Sequence, residues 1–281
     1  MDPLTARKTW RTPEMIHGFI YFAPEHTRAY AALGLSARAG YFASRSAPMG
    51  ATSAELVIAT FFNFEPAYVR RTMVGVWDSV APAALLDARR DATGDALRRI
   101  LGPEVAESSD VKEAAGLARL AAETACAHLS GKPLFAGHAS LPWPDDPILV
   151  LWHAQTLLRE FRGDIHIAAM TAEGIDGCEA LVTHATTGDI TREILQGSRV
   201  WSDDQWNAAV ESLRAKGHLD SAGAFTAKGT ESRQRVEDQT DAGALVAYAA
   251  LGDEGCKRLR LLCRPMSATI VASVRFTLPR E

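Results

Sequence analysis

Thirteen prolines punctuate this 281-residue chain. Several stand at the helical position that best tolerates them. Proline lacks an N–H and fixes φ, which suits the first turn of a helix, where that donor has no partner anyway. Thr12-Pro13-Glu14 therefore predicts a helix capped by Thr12 and running from Met15 to about Phe22. Pro24 ends it, and a second short helix follows from Glu25 to Leu33, with Gly34 as its C′ residue. A third carries Arg38 to Arg45 and stops at Pro48-Met49-Gly50. Thr52 or Ser53 caps Ala54 to Phe62, Pro66 opens a helix through Val69, Met73 and Trp77, and Pro82 opens one reaching Leu101. Residues 109–130 form another, with Leu117, Leu120, Ala121 and Ala125 at helical spacing. Alternating β-branched residues are scarce and alanine is abundant, so a mainly α fold is expected.

The segment His138 to Pro147 places three prolines in six residues, which excludes helix interior and holds Trp143 extended. It suggests a three-part chain: a helical N-terminal region over 12–144, central helices lining a pocket over 145–188, and a winged-helix module with C-terminal helices over 189–281. No apolar run nears the ~20 residues that span a bilayer, and the opening MDPLTARKTWRTPE has no apolar core of a secretory signal. A cytoplasmic protein with no membrane partner is expected. Cys126, Cys178, Cys256 and Cys263 include no C-x-x-C pair, so free buried thiols are expected.

The clearest local pattern lies between residues 190 and 240. Ile190 to Leu195 reads as a short helix turning at Gly197, and Ser202-Asp203-Asp204-Gln205 is a capping box for the next. That helix carries Trp206, Ala209 and Leu213, with Leu219 beyond it. Ser221 to Phe225 make a very short hairpin, and Thr226 caps a long polar helix through Asp238. This is the order of a winged helix-turn-helix. The stretches Leu213-Arg-Ala-Lys-Gly-His-Leu219 and Phe225-Thr-Ala-Lys-Gly229 resemble the recognition-helix end and wing of MarR-type regulators. From Asp189 to Asp241, however, seven Lys/Arg face ten Asp/Glu, a net of −3. A recognition helix presents its first turns to the major groove, and here they hold Asp203 and Asp204. DNA is thus disfavoured as a partner on electrostatic grounds, unless Arg192 and Arg199 reinforce the surface. A structural or homodimerising role fits the module better.

A wider resemblance rests on His17-Gly-Phe-Ile-Tyr-Phe22, Arg38-Ala-Gly-Tyr-Phe-Ala-Ser-Arg45, Ala47-Pro-Met-Gly50 and Ala59-Thr-Phe-Phe-Asn-Phe64. It continues in His138-Ala-Ser-Leu-Pro-Trp-Pro144, Leu151-Trp-His-Ala154 and Leu158-Arg-Glu-Phe-Arg-Gly-Asp164 to His166. These stretches resemble the actinobacterial SalK-like helix-turn-helix proteins. The resemblance implies an α-rich fold ending in a winged helix and transfers no mechanism. The kinase label sometimes attached to such proteins has no support, since ATP-binding glycines and HRD–DFG sequences are absent.

Candidate chemistry centres on Ile148 to Met170. Leu151, Ala154, Leu158, Phe161 and Ile165 form a core stripe, and Gln155, Arg159, Arg162 and His166 a second row about 100° away, extended by Trp152. On a solvated face this row would be inert. In a pocket, the arginines would hold a carboxylate or phosphate while His166 moves a proton. Gly163 suggests a break or close approach in that helix. His17 and Tyr21, four apart, form either a capped core histidine or a facing pocket wall with acid–base capacity, and Arg38 and Arg45 offer a second anion clamp.

The reading is a small-molecule-binding protein, foremost an enzyme of specialised metabolism, with His166, His17 and Tyr21 catalytic. Trp152, Gln155, Arg159, Arg162, Arg38 and Arg45 would bind a small organic ligand, anionic if the arginines hold it. The alternatives are a ligand-responsive MarR-like regulator and a haem- or metal-binding protein. His138 and His153 could join a carboxylate around a metal, but no H-x-x-x-H spacing supports one, and no nucleotide-cofactor motif occurs. The cofactor is left unassigned.

Overall fold

Helix starts obey the capping and proline signals, with one shift of register at the N-terminus. Pro24, Pro66 and Pro82 each occupy a first turn. Ser36, Ser53 and Ser108 accept backbone N–H groups from residues three further on. Ser202 and Gln205 close the expected capping box, and Asp176 and Glu179 close a second. Thr12, by contrast, is the C-cap of an earlier helix, Pro3–Arg11, which Asp2 and Pro3 open. Its hydroxyl donates back to the Lys8 carbonyl at 2.8 Å. The next helix is therefore only Glu14–Gly18, followed by a 3₁₀ turn over Phe19–Tyr21. The helix from Pro66 ends at Met73, because Gly75 adopts φ +69° and a new turn, Val76–Ser79, carries Trp77.

The computed structural model describes residues 1–273. Among them the β structure is one antiparallel bridge between Leu219 and Phe225. No helix among the described residues is long and apolar enough to cross a membrane. The chain divides into two units that are discontinuous in sequence. Among the described residues the first comprises Met1–Thr52, Gly75–Asp164 and 241–273, and the second Ser53–Val74 and Ile165–Thr240. The divisions near 144 and 188 suggested by the prolines and the winged-helix pattern fall inside these units.

In the first unit, Ser109–Cys126 buries Ala114, Ala115, Ala118, Ala121, Ala122 and Ala125, while Leu120 is exposed. Its core face is a strip of small side chains rather than the expected leucines, which lets the helix lie close to Gly252–Ser273. The Pro147–Ala172 helix runs unbroken through Gly163, where an added Cβ would meet nothing nearer than Glu160 Oε2 at 3.7 Å. Residues 151–158 are buried on every side. Cys178, Cys256 and Cys263 are buried free thiols, and Cys126 is a half-buried one.

The second unit contains the helix-turn-helix. Gly177–Thr186 and Asp203–Ala215 pack around Leu181, Val182, Leu195, Trp206, Leu213 and Leu219. The helix between them spans Arg192–Arg199, so Gly197 is interior, and the chain turns at Val200 with φ +62°. That left-handed conformation is strained for a β-branched residue. It is held by Trp201, whose indole donates to the Asn63 carbonyl at 2.9 Å and whose own carbonyl accepts from the Gln196 amide at 3.1 Å. The expected wing reduces to the Leu219–Phe225 bridge, and Thr226 caps the Ala227–Ala244 helix. A Cβ on Gly229 would lie 2.1 Å from the His218 carbonyl oxygen, so glycine is required where that helix abuts the turn.

Candidate functional site

The expected polar row is not a solvated face, and it does not act as one group. Gln155 and Arg162 are buried, and Arg159 and His166 are half-buried. Arg162 forms an ion pair with the buried Asp241 at 2.7 Å and lies over Trp10 at 4.8 Å. Arg159 pairs with Glu160 at 3.0 Å and Glu14 at 3.4 Å. Both arginines thus have carboxylate partners within the chain. His166 belongs to the second unit, where its Nδ1 meets Thr240 Oγ1 at 3.0 Å. That hydroxyl spends its proton on the Val236 carbonyl, so the imidazole donates to it.

His17 is fully buried, and its protonation pattern follows from its partners. Thr156 Oγ1 donates to the Trp152 carbonyl at 3.0 Å and so accepts from His17 Nδ1 at 2.8 Å. The other nitrogen, Nε2, then accepts from the Tyr21 hydroxyl at 2.7 Å. Burial, with Arg159, Arg89 and Arg45 adding to it, drives the His17 pKa well below the usual imidazole range. It is a neutral, saturated relay. Tyr21 lies near two cations, with Arg45 and Arg159 at 5.6 and 5.8 Å from its ring centre. Arg45 is buried, donates to Tyr41 at 2.8 Å and pairs with Glu160 at 3.3 Å. Burial pushes the Glu160 carboxyl up, but Arg159 and Arg45 outweigh it and hold it at about 2. Arg38 is half-buried and makes no ion pair among the described residues, whereas Arg45 is committed to Glu160.

A cavity of about 290 Å³ lies beside this network, in the first unit. Leu86, Leu141, Pro142, Trp143 and Trp152 form its apolar wall, and Arg89, His138, His153 and Thr156 bring polar groups to it. Trp152 and Thr156 come from the expected helix, and Thr156 joins the cavity wall to the His17–Tyr21 relay. His138 Nδ1 donates to the Leu134 carbonyl at 3.0 Å, leaving Nε2 as an acceptor at 3.4 Å from Arg89. Burial and the Arg89 charge depress His138 to about 3 and His153 to about 4. Both rings are therefore neutral at pH 7. His153 Nε2, Trp152 Nε1 and Gln155 Nε2 are buried without hydrogen-bond partners. Buried polar atoms are normally satisfied, and two of these three belong to residues that line the cavity.

Sequence reasoning overlooked Arg89 and Glu160. Arg89 sits in Asp87-Ala-Arg-Arg-Asp91, which reads as a solvated charge run. The signal was its register: Leu85, Arg89, Ala92 and Ala96 are all buried at helical spacing, so one charge stands on a core stripe. Among the described residues no group of three or more His, Cys, Asp or Glu side chains is placed to hold a metal ion.

A helix-turn-helix family model matches residues 6–277, nearly the whole chain. Searches of curated proteins and of solved structures yield no match.

Proposed function

Since the chain belongs to this helix-turn-helix family, we propose that it is a small-molecule-binding member of it, with the ligand seated in the cavity between Trp143 and Trp152. One observation carries the reading: an aromatic-walled cavity of about 290 Å³ collects buried polar atoms that the chain leaves unbonded. An engineered apolar cavity of about 150 Å³ accepts benzene, so this space suits a one- or two-ring molecule. Calorimetry with a panel of small aromatic compounds tests it. Binding is expected in the native protein and should vanish in Leu86→Trp, which fills the wall while circular dichroism reports an intact fold. A panel that binds equally well to both proteins would refute the site.

Two uses of such binding are favoured by different observations. Family membership favours a ligand-responsive regulator. An enzyme is favoured by His153, a neutral imidazole on the cavity wall with an unbonded Nε2 able to accept a proton. His153 replaces His166 in that role, and His17 and Tyr21 become the supporting relay behind Thr156. For the regulator, fluorescence anisotropy with genomic DNA fragments at two salt concentrations should show ligand-dependent, salt-sensitive binding. For the enzyme, mass spectrometry should show the bound compound converted, and His153→Gln should stop conversion while binding persists.

A further inference from the structure

Arg89 is the one fully buried arginine of the first unit's polar network that no carboxylate answers. It is 2% exposed, and no Asp or Glu lies within ion-pair distance of it among the described residues. A guanidinium cannot shed its proton at any physiological pH, and a buried charge without a counter-charge costs several kcal/mol. Its surroundings compensate only in part. Nη1 donates to the Ser44 carbonyl at 2.9 Å and approaches His138 Nε2 at 3.4 Å, and the Trp152 ring lies 5.3 Å from the guanidinium carbon. Glu160, the buried carboxylate of this network, is already engaged by Arg45 and Arg159. At the cavity rim, Asp87 is taken by Arg90 at 2.8 Å.

The nitrogens left over are Nε and Nη2, both buried and without hydrogen-bond partners. They form one edge of the guanidinium, and two parallel N–H bonds along that edge match the two oxygens of a carboxylate. Arg89 lines the aromatic cavity. We propose that the ligand of this cavity is an aromatic monocarboxylate, whose carboxylate is gripped by the Nε–Nη2 edge of Arg89 and whose ring lies against Trp143 and Trp152. The inference rests on the cavity being a binding site and adds what the site selects. Arg90 also lines the cavity but is paired with Asp87 and Asp91, so one uncommitted guanidinium amid Leu86, Leu141 and Pro142 favours one negative charge on a mostly apolar body. A dianionic phosphate ester would leave its remaining charge and oxygens unmatched against that wall. In this proposal an arginine with no internal counter-charge takes the role expected of Arg159 and Arg162.

Matched acid and amide probes test the proposal on the full chain. Benzoate, 2-naphthoate and indole-3-acetate are titrated by calorimetry beside benzamide, 2-naphthamide and indole-3-acetamide, with inorganic phosphate as a further arm. At least one acid is expected to bind at least tenfold more tightly than its amide, with phosphate silent. Equal affinities within each pair, or a preference for the amide, would overturn the carboxylate assignment and leave the cavity reading standing. No binding by any organic probe would overturn both. Phosphate binding without the acids would show an anion site of a different class. Arg89→Met should abolish the acid–amide difference while amide binding survives, and Arg89→Lys should recover only part of it, because an ammonium offers no paired edge. The comparison within the native protein decides the matter even if neither variant folds.

Discussion

The two units handle charge in opposite ways. In the first, Arg45, Arg89 and Glu160 are withdrawn from water, and the helix carrying Glu160 is buried on all sides over residues 151–158. In the second, the helix-turn-helix encloses an apolar core of Leu, Val and Trp, and its fully buried carboxylate, Glu179, stands in the first turn of a helix and pairs with Lys216. Asp203 is held there by Arg192 at 2.8 Å and by the Gln196 amide at 2.9 Å. Arg199 lies over Phe64 and bonds Asn63. The two arginines that were to offset the acidic recognition helix are therefore engaged within their own unit. Buried charge in a fold of this size is costly to maintain. The proposed ligand site lies in the unit that holds Arg45, Arg89 and Glu160.

The sharpest way to break this contrast is to remove Glu160. Glu160→Gln leaves Arg45 and Arg159 without their shared counter-charge and should cost roughly 3–5 kcal/mol, read as a lowered denaturant midpoint. A loss below about 1 kcal/mol would mean that water reaches this network. Core truncation should come next and should not distinguish the units. Leu158→Ala and Phe161→Ala in the first and Leu213→Ala in the second are each expected to cost about 2–5 kcal/mol, since all three side chains are at most 2% exposed.

Acid should weaken the fold through its buried histidines. His26 and His138 are held at about 3 and His153 at about 4, burial being the main cause. Below pH ~6.5 the unfolded chain takes up protons that these folded rings refuse, so stability falls as pH drops toward 4. Asp164 works the other way. Burial raises it to about 6, so below that pH the folded state holds the extra proton and gains stability. These three histidines, with His17 lowered by burial as well, outnumber the one aspartate and predict a net loss between pH 6 and 4. Urea midpoints across that range, compared between native protein and His153→Gln, measure one histidine's share; a flat profile would contradict the burial. The smallest effect belongs to the second unit's surface. Arg192→Ala removes an exposed pair and should shift stability by no more than about 1 kcal/mol. A larger loss would make the charge of that unit structural after all.

Much of the fold was legible because helix signals are local. A proline in a first turn, a serine three residues before an N–H and a glycine at C′ act over one turn of backbone, and Pro82–Leu101 and Asp203–Ala215 start where these signals stand. Their ambiguities are local as well: Thr12 suits the end of one helix as well as the start of the next, and the Gly197 turn moved to Val200 because Trp201 is anchored to Asn63. The Trp152 wall and the Thr156 tether of His17 lie on the helix singled out by its polar row; Trp152 extends that row and Thr156 lies outside it.

By itself, then, the sequence determined an α-helical chain with a helix-turn-helix whose Asp203–Ala215 helix begins with two aspartates, since capping, periodicity and net charge are properties of neighbouring residues. Only the tertiary structure decided which charges find partners. Arg162 meets Asp241, 79 positions further along the chain, Arg45 meets Glu160, 115 positions further along, and Arg89 meets no carboxylate among the described residues. An arginine written in sequence is the same residue whether water, an aspartate or a ligand neutralises it. Its role is set by the long-range packing that removes water and brings, or withholds, a counter-charge.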